Sequence, residues 1–198
     1  MQRQKVFLAT SNDGKKREFG ALLPHSLGWD LHLCSELGKI TWDENGSSYA
    51  ENAMIKAKAV KEKTEFGVIA DDSGLEVDFL DGKPGVHSAR FAGDHSTDEQ
   101  NNDKLLELLK GVPSTKRTAR FVCTLVFVDS KGICYTASGK CEGVITTLRR
   151  GSNGFGYDPI FEVSGMNRTM AELGNDEKDR LSHRATAVNE LVQRIGTE

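Results

Sequence analysis

The feature that most restricts the fold of this chain is a pair of long apolar stretches with almost no connection between them. ARFVCTLVFVD and GICYTASGKCEGVI are rich in β-branched and aromatic residues, and the turn residues Ser130, Lys131 and Gly132 lie at their junction. Two strands joined so closely are typical of a β-hairpin. The chain is therefore expected to build a mixed sheet and not a purely parallel one.

The rest of the chain shows residue patterns typical of strands and of helices. KVFLAT ends at the turn residues SNDG, and GKKREFGALL then shows apolar residues at helical spacing. Helices are also predicted over 48–65, from a capping box at Thr97, and over 181–195. GVIADD and LEVDFL are predicted as two strand segments with a turn after Asp72. Together the patterns predict an α/β fold, in which an elongated mixed β-sheet is flanked by helices.

Length and composition indicate an ordinary globular protein. The chain has 198 residues, of which 37% are hydrophobic and 28% charged, enough for a full core that can divide into two lobes around a cleft. A formal net charge of −3 provides no overall field to attract nucleic acid or an anionic membrane. We therefore expect neither as a partner, and an anionic ligand would need a local site or a metal ion.

The first residues and the cysteines favour a cytoplasmic location. MQRQKVFLAT has too short an apolar stretch for a signal peptide, and the longest apolar run, FVCTLVFV, is far short of a membrane span. The four cysteines form no C-x-x-C motif. Buried, reduced thiols are therefore favoured over a disulfide or a zinc site.

The turn TSNDGKK is the first stretch whose polar residues suggest a role beyond folding. A turn of small residues before a helix exposes backbone N–H groups at the positive end of the helix dipole, which favours phosphate. Lys15 is badly placed for that dipole, and a bound anion would remove the penalty. The segment reads A-x-x-x-x-G-K-K, which lacks the first glycine and the Ser or Thr of a Walker A loop. An ordinary surface turn is an equal alternative for this stretch alone.

Two acidic stretches can supply metal-binding or catalytic carboxylates. WDENGSSYAENA places Glu44 before the long helix, and IADDSGLEVD places Asp71, Asp72 and Ser73 together. Adjacent side chains on a strand point to opposite faces, so only one of the two aspartates would face a cleft. The alternatives are helix capping for the first stretch and a strand-ending Asx turn for the second.

Two later stretches can bind a flat, anionic ligand. GSNGFGYDP carries Phe155 and Tyr157 in a glycine-rich loop, and EKDRLSHR places Lys178, His183 and Arg184 near the last helix. Taken singly, a flexible loop and a helix capped by a serine explain them as well. Taken together with the phosphate turn and the carboxylates, they describe a nucleoside triphosphate site.

Five ordered motifs resemble those of the inosine/xanthosine triphosphate pyrophosphatase family, which is Ham1-like. They are TSNDGKKREF, SYAENAMIKAKA, IADDSGLEVDFLDGKPGVHSARFAG, NGFGYDPIF and KDRLSHRATAV, and they span nearly the whole chain. The resemblance implies one two-lobed domain over 1–198, with a long mixed sheet, a cleft between the lobes and a homodimer. It also implies Mg²⁺-dependent hydrolysis of dITP, ITP and XTP to the monophosphate and pyrophosphate, which clears deaminated purines from the nucleotide pool.

The resemblance also implies a role for individual residues. Glu44 and Asp72 would be the metal ligands, Asp72 would also accept the proton, and Asp71 is left to serve the turn. The residues that would bind substrate are Thr10, Ser11, Asn12, Asp13, Gly14 and Lys15 at the triphosphate, Ser73, and Phe155, Gly156, Tyr157, Asp158, Lys178, His183 and Arg184 around the base and sugar. Ser11 departs from the family pattern, which has glycine at this point of the turn.

Three other functions compete with this one. A metal-dependent phosphatase would release orthophosphate and not pyrophosphate, and a nucleotide-binding module would bind ITP without turnover. A pyrophosphatase of the related Maf type would act on other nucleotides. The identity of the released phosphate and a panel of nucleoside triphosphates separate these alternatives.

Overall fold

The computed structural model describes residues 3–10 and 12–196, and over these residues it contains seven β-strands and five α-helices. The strands are β1 (Gln4–Leu8), β2 (Trp29–Leu33), β3 (Gly67–Val77), β4 (Pro84–Gly85), β5 (Thr118–Val128), β6 (Cys134–Ile145) and β7 (Phe161–Val163). The helices are α1 (Asp13–Leu22), α2 (Tyr49–Lys61), α3 (Asp98–Leu108), α4 (Asn175–Leu181) and α5 (His183–Gly196).

All the strands belong to one mixed sheet, as the sequence predicts. Its order is β2-β1-β3-β5-β6-β7, with β4 paired to β3. β1 pairs in parallel with β2 and β3, whereas β3–β4 and β6–β7 are antiparallel. β5 and β6 are hydrogen-bonded neighbours, and Asp129 N donates to Ile133 O at 2.9 Å to close their connection. The α/β class with a mixed sheet is therefore confirmed.

Two sequence-based boundaries are wrong. GVIADD and LEVDFL do not form two strand segments, because β3 continues without interruption from Gly67 to Val77. The closing helix predicted over 181–195 begins only at His183, since Ser182 has extended backbone angles (φ −68°, ψ 154°) and separates it from the unpredicted helix α4. The helix predicted from a capping box at Thr97 is confirmed, because the Thr97 hydroxyl accepts from Gln100 N at the start of α3.

The chain divides into two compact units. Unit 1 comprises the described residues of Met1–Asp72, Cys123–Gly139 and Arg184–Glu198, and unit 2 comprises Ser73–Val122 and Lys140–His183. The strands β3, β5 and β6 contribute residues to both units.

In unit 1 the sheet is covered on both faces. Alternate residues of β1 enter two different cores, with Val6 and Leu8 in one and Phe7 and Ala9 in the other. The first core also contains Phe19 of α1 together with Ala187, Val188 and Leu191 of α5. The second contains Ala53, Ala57 and Val60 of α2. Each face of these strands thus meets a different helix layer, which decides what a polar side chain on β3 can contact.

Unit 2 has a single core, in which α3 packs on the sheet. Leu105 and Leu109 lie against residues of β3, β5 and β7 and against Tyr157 and Ile160, and all of these side chains are buried.

Cys34, Cys123 and Cys141 are buried and Cys134 is exposed, and none of the four forms a disulfide bond. None of the helices in the described residues is both long and apolar enough to cross a membrane.

Candidate active site

The two adjacent aspartates lie inside β3, near the carboxyl end of the parallel pair that β3 forms with β1. Ala9 N donates to Ile69 O at 2.8 Å, so the chain leaving β1 runs beside residues 70–72. The expectation that Asp71 serves a turn is wrong, because the strand continues past it to Val77. The carboxyl ends of parallel strands are the usual location of ligand sites in open α/β sheets.

Asp71 faces the layer of α1 and α5. Its Oδ2 lies 2.7 Å from Lys15 Nζ and 3.7 Å from Arg184 Nε, and Arg184 Nη1 also donates to Glu18 Oε2 at 2.8 Å. Burial alone would raise the pKa of Asp71, but the positive charges of Lys15, Arg184 and Lys56 outweigh it and hold that pKa well below its ordinary range. Asp71 is therefore a permanent anion that fixes two cations.

Asp72 faces the opposite layer, that of α2. Its Oδ1 accepts from Lys56 Nζ at 3.0 Å and its Oδ2 accepts from Asn52 Nδ2 at 3.2 Å. Burial raises the pKa of the Asp72 carboxyl, and Lys56, Lys15 and Asn52 offset that effect only in part. The expectation that adjacent side chains on a continuing strand face opposite ways is thus met, and the two carboxyls have opposite pKa shifts.

Sequence reasoning missed Lys56 and Asn52. Both are buried on α2, where they lie four residues apart among the apolar positions of the helix. Lys56 Nζ also donates to Glu44 Oε1 at 3.0 Å. Burial would lower the pKa of this ammonium, but the carboxylates of Asp71, Asp72 and Glu44 raise it on balance. A lysine on the apolar face of an amphipathic helix was the available signal, because lysine is almost never fully buried without a partner.

Glu44 and Asp72 are suitable ligands for a magnesium ion that also contacts phosphate. Each carboxylate lies 3.0 Å from the same Lys56 ammonium, so both converge on one cation already. Within 3–10 and 12–196, no group of three or more His, Cys, Asp or Glu side chains could hold a metal ion. Two carboxylates supplemented by substrate oxygens match the coordination of Mg²⁺, which rarely uses an all-protein cage.

The predicted phosphate turn connects β1 to α1. Asn12 caps the helix, since its Oδ1 accepts from Lys15 N at 3.1 Å, and Asn12 N donates to Thr10 Oγ1 at 3.1 Å. Thr10 is buried, and Gly14 and Lys15 lie in the first turn of α1. Ser11 lies outside the described residues, as does the side chain of Asp13. The penalty of a cation at this helix end is offset in part by the carboxylate of Asp71, which lies against Lys15.

In unit 2 the structure brings together three of the predicted base and sugar residues. Asp158 Oδ2 accepts from Lys178 Nζ at 2.8 Å and from Phe155 N at 3.1 Å. Lys178 Nζ also lies 5.1 Å from the centre of the half-buried Phe155 ring, a cation–π distance. Gly154 has φ +83°, and a Cβ there would overlap Asp158 Oδ2, so only glycine fits.

Tyr157 and His183 are more enclosed than a stacking surface would be. Tyr157 is buried in the core of unit 2, and its hydroxyl donates to Ser88 O at 2.8 Å. His183 is buried too and stacks on Phe121, with ring centres 5.0 Å apart. Phe155, which is half-buried, is therefore the less enclosed of the two loop aromatics. Ser73 is half-buried in β3 as the first residue of unit 2, and Arg184 belongs to unit 1.

Known proteins resemble this chain over nearly its whole length. A sequence model of the Ham1 family matches residues 6–194. The dITP/XTP pyrophosphatase of Bacillus licheniformis is 46% identical over 189 residues, which cover 95% of this chain and 96% of that protein. The enzyme of the same name from Salmonella paratyphi A is 45% identical over 197 residues, which cover 97% and 98% of the two chains.

Solved structures agree with the sequence comparisons. The Ham1 protein of Staphylococcus aureus superposes with a TM-score of 0.86 at 38% identity, over 98% of this chain and 100% of that one. A HAM1 protein from Coxiella burnetii gives a TM-score of 0.88 at 36% identity, with the same coverage of both chains.

Proposed function

The chain belongs to the Ham1 family, and from this premise we propose that it hydrolyses dITP, ITP and XTP to the nucleoside monophosphate and pyrophosphate. This activity removes deaminated purine nucleotides before they enter DNA and RNA. The observation that carries the proposal is the buried Asp72 carboxyl, which shares the Lys56 ammonium with Glu44 at the end of a parallel strand pair.

The turn after β1 is proposed to bind the triphosphate. The backbone N–H of Gly14, in the first turn of α1, would donate to a phosphate oxygen at the positive end of the helix, with Thr10, Ser11, Asn12 and Asp13 in the same turn. Lys15 and Lys56 would neutralise part of the phosphate charge. Asp71 holds Lys15 in place through a 2.7 Å contact, so this cation is fixed before substrate arrives.

Asp72 is proposed to accept the proton of the attacking water. The water oxygen forms a bond to the α-phosphorus, the bond from that phosphorus to the bridging oxygen breaks, and pyrophosphate leaves. A raised pKa makes Asp72 a stronger base than an ordinary aspartate. Glu44 and Asp72 would hold Mg²⁺, which when bound neutralises charge on the phosphates.

The base and sugar are proposed to be bound by the other predicted residues. Phe155 would stack on the purine, while Asp158 holds Lys178 in position beside the ring. His183 and Arg184 would donate to the 6-oxo group of hypoxanthine or xanthine. Because Arg has only donors, the 6-amino group of ATP would leave them unpaired, which favours ITP and XTP over ATP. Ser73, Gly156 and Tyr157 complete the proposed contacts.

The test is an assay of Mg²⁺-dependent pyrophosphate and orthophosphate release across dITP, ITP, XTP, GTP and ATP. Pyrophosphate from the first three supports the proposal, while orthophosphate would indicate a phosphatase. Binding of ITP without turnover would indicate a binding module, and preference for other nucleotides would indicate a Maf-type enzyme.

A variant tests the proposed base. Asp72→Asn should lower kcat by ~10²–10⁴-fold. Asp43→Asn, the same change at an exposed position beside Glu44, is the control.

Two further properties are proposed, a homodimer from the family resemblance and a cytoplasmic location from the first residues and the cysteines. The protein would be a homodimer, which light scattering of the purified chain at micromolar concentration tests. It would also be cytoplasmic, which fractionation of the source cells tests.

A further inference from the structure

Helix α3 holds both backbone polar groups of Gly156, the residue next to the half-buried Phe155. Gly156 N donates to Asp98 Oδ2 at 2.7 Å, and Asn102 Nδ2 donates to Gly156 O at 3.0 Å. Asp98 and Asn102 are four residues apart and so lie on the same face of the helix. The helix thereby fixes the peptide planes on both sides of Gly156.

The conformation of Gly156 needs such an external support. Its φ is +63°, in the left-handed region that glycine adopts without strain, and no atom lies within 4 Å of where a Cβ would be. The two hydrogen bonds from α3 stabilise the observed conformation. Together with the bond from Phe155 N to Asp158 Oδ2, they set the direction in which Phe155 leaves the chain.

The helix is a firm support for this loop. Leu105 and Leu109 anchor α3 in the core, and Arg117 Nη1 donates to Leu109 O at 2.8 Å just past its last turn. On the other side of Gly156, the buried ring of Tyr157 is held through its hydroxyl by Ser88 O. On the near side, Phe155 is held by the Gly156 clamp and by its own N–H bond to Asp158, and both contribute to its orientation.

Asn102 is a poor choice for stability alone. The side chain is buried, and its Oδ1 has no hydrogen-bond partner among the described residues. A buried acceptor without a partner is unfavourable, and an apolar side chain of similar size would avoid it. The hydrogen bond from Nδ2 to Gly156 is what an apolar residue would lose.

We propose that Asp98 and Asn102 are positioning residues that orient Phe155 towards the purine, and so set the affinity for the nucleoside half of the substrate without contacting it. This inference rests on the proposed function, in which Phe155 stacks on the base. Because Asn102 is buried and Asp98 is exposed, Asn102 has the larger effect. The triphosphate half of the substrate is bound by other residues and is unaffected.

The experiment uses the full chain and two product inhibitors of ITP hydrolysis. IMP contains the base and sugar, whereas pyrophosphate contains neither. Asn102→Ala should raise KM for ITP and Ki for IMP roughly five- to thirtyfold, since stacking of one base on an aromatic ring contributes up to about a hundredfold in affinity. Ki for pyrophosphate should change less than about twofold. Asp98→Ala should give a smaller shift that Asp98→Asn, which keeps an acceptor, restores.

Asn101→Ala is the matched control. Asn101 is the neighbouring buried asparagine of α3, but its side chain donates to Ala89 O and accepts from Ala92 N and Ser96 Oγ, away from the loop of Gly156. Its effect on KM and Ki measures the general consequence of removing a buried asparagine from α3. Circular dichroism and thermal unfolding confirm that each variant is folded at the assay temperature.

A double-mutant cycle with Phe155→Ala distinguishes a role of Asn102 in positioning Phe155 from a general disturbance of the structure by Asn102→Ala. If Asn102 acts through Phe155, then Asn102→Ala has little further effect on Ki for IMP in the Phe155→Ala background. Full additivity of the two changes, or an equal rise in Ki for IMP and pyrophosphate, overturns the inference. So does an Asn102→Ala variant that matches Asn101→Ala. A wild type that neither hydrolyses ITP nor binds IMP overturns the proposed function and the inference with it.

Discussion

Replacing Lys56 by methionine should destabilise the protein strongly at neutral pH. The ammonium is buried and donates at 3.0 Å to both Glu44 and Asp72, so methionine leaves two carboxylates without their shared cation. Breaking a buried ion pair from one side costs about 3–5 kcal/mol. For a chain of this length 1 kcal/mol corresponds to about 2–4 °C in Tm, so the expected fall is roughly 6–20 °C.

The assay is urea unfolding of the metal-free protein, followed by far-UV circular dichroism at several pH values. Lys58→Met is the control, because it makes the same change on an exposed side of α2 and should alter the free energy of unfolding by less than about 0.5 kcal/mol. The deficit of Lys56→Met should shrink as the pH falls through the raised pKa of Asp72, because the protonated carboxyl no longer needs a cation. A deficit under about 1 kcal/mol at pH 7, or one independent of pH, would refute this electrostatic account.

Three more outcomes follow from named contacts. Lys15→Ala should raise KM for ITP more than it lowers kcat, because it removes a cation held by Asp71 near the phosphate turn, and an unchanged KM would exclude Lys15 from the site. Arg184→Ala should shrink the ITP-to-ATP ratio of kcat/KM, and a constant ratio in a folded variant would restrict Arg184 to its buried ion pair. The hydrogen bond with Glu36 raises the pKa of His32, so His32 stabilises the fold fully below about pH 6.5 and less as pH rises through the raised value. His32→Gln should therefore lower the urea midpoint more at pH 6 than at pH 9, and equal losses would contradict this assignment.

Local patterns were enough to predict most helices and strands but not where two of them stop. The Asp72-Ser73-Gly74 segment has turn chemistry, yet β3 runs through it as one strand, with β5 on one side and β1 and then β4 on the other. The sheet overrides such a local preference. The closing helix was begun at 181, two residues too early, because no Gly or Pro marks the break at Ser182.

The candidate site was predictable as a set of motifs but not as a network of charges. Glu44 and Asp72 were identified in separate stretches, whereas the lysine that joins them lies on a helix that was noted only for its amphipathic pattern. The alternation of side chains along a strand did predict that Asp71 and Asp72 point to opposite faces of the sheet. It could not predict how many cations each would meet, because that depends on which helices cover each face.

The number of cations around each aspartate explains why Asp72 and not Asp71 is suited to accept a proton. Asp71 is fully enclosed with Lys15 and Arg184, and its low pKa makes it a weak base and a fixed counterion. Asp72 has one direct ammonium contact and a neutral amide, so burial prevails and its pKa is raised. Any Mg²⁺ held by Asp72 would act against the negative charge of a bound triphosphate, so the intrinsic difference between the two carboxyls comes from the protein's own cations. Asp71 is held ionised by two of them, whereas Asp72 is the carboxyl on which burial prevails.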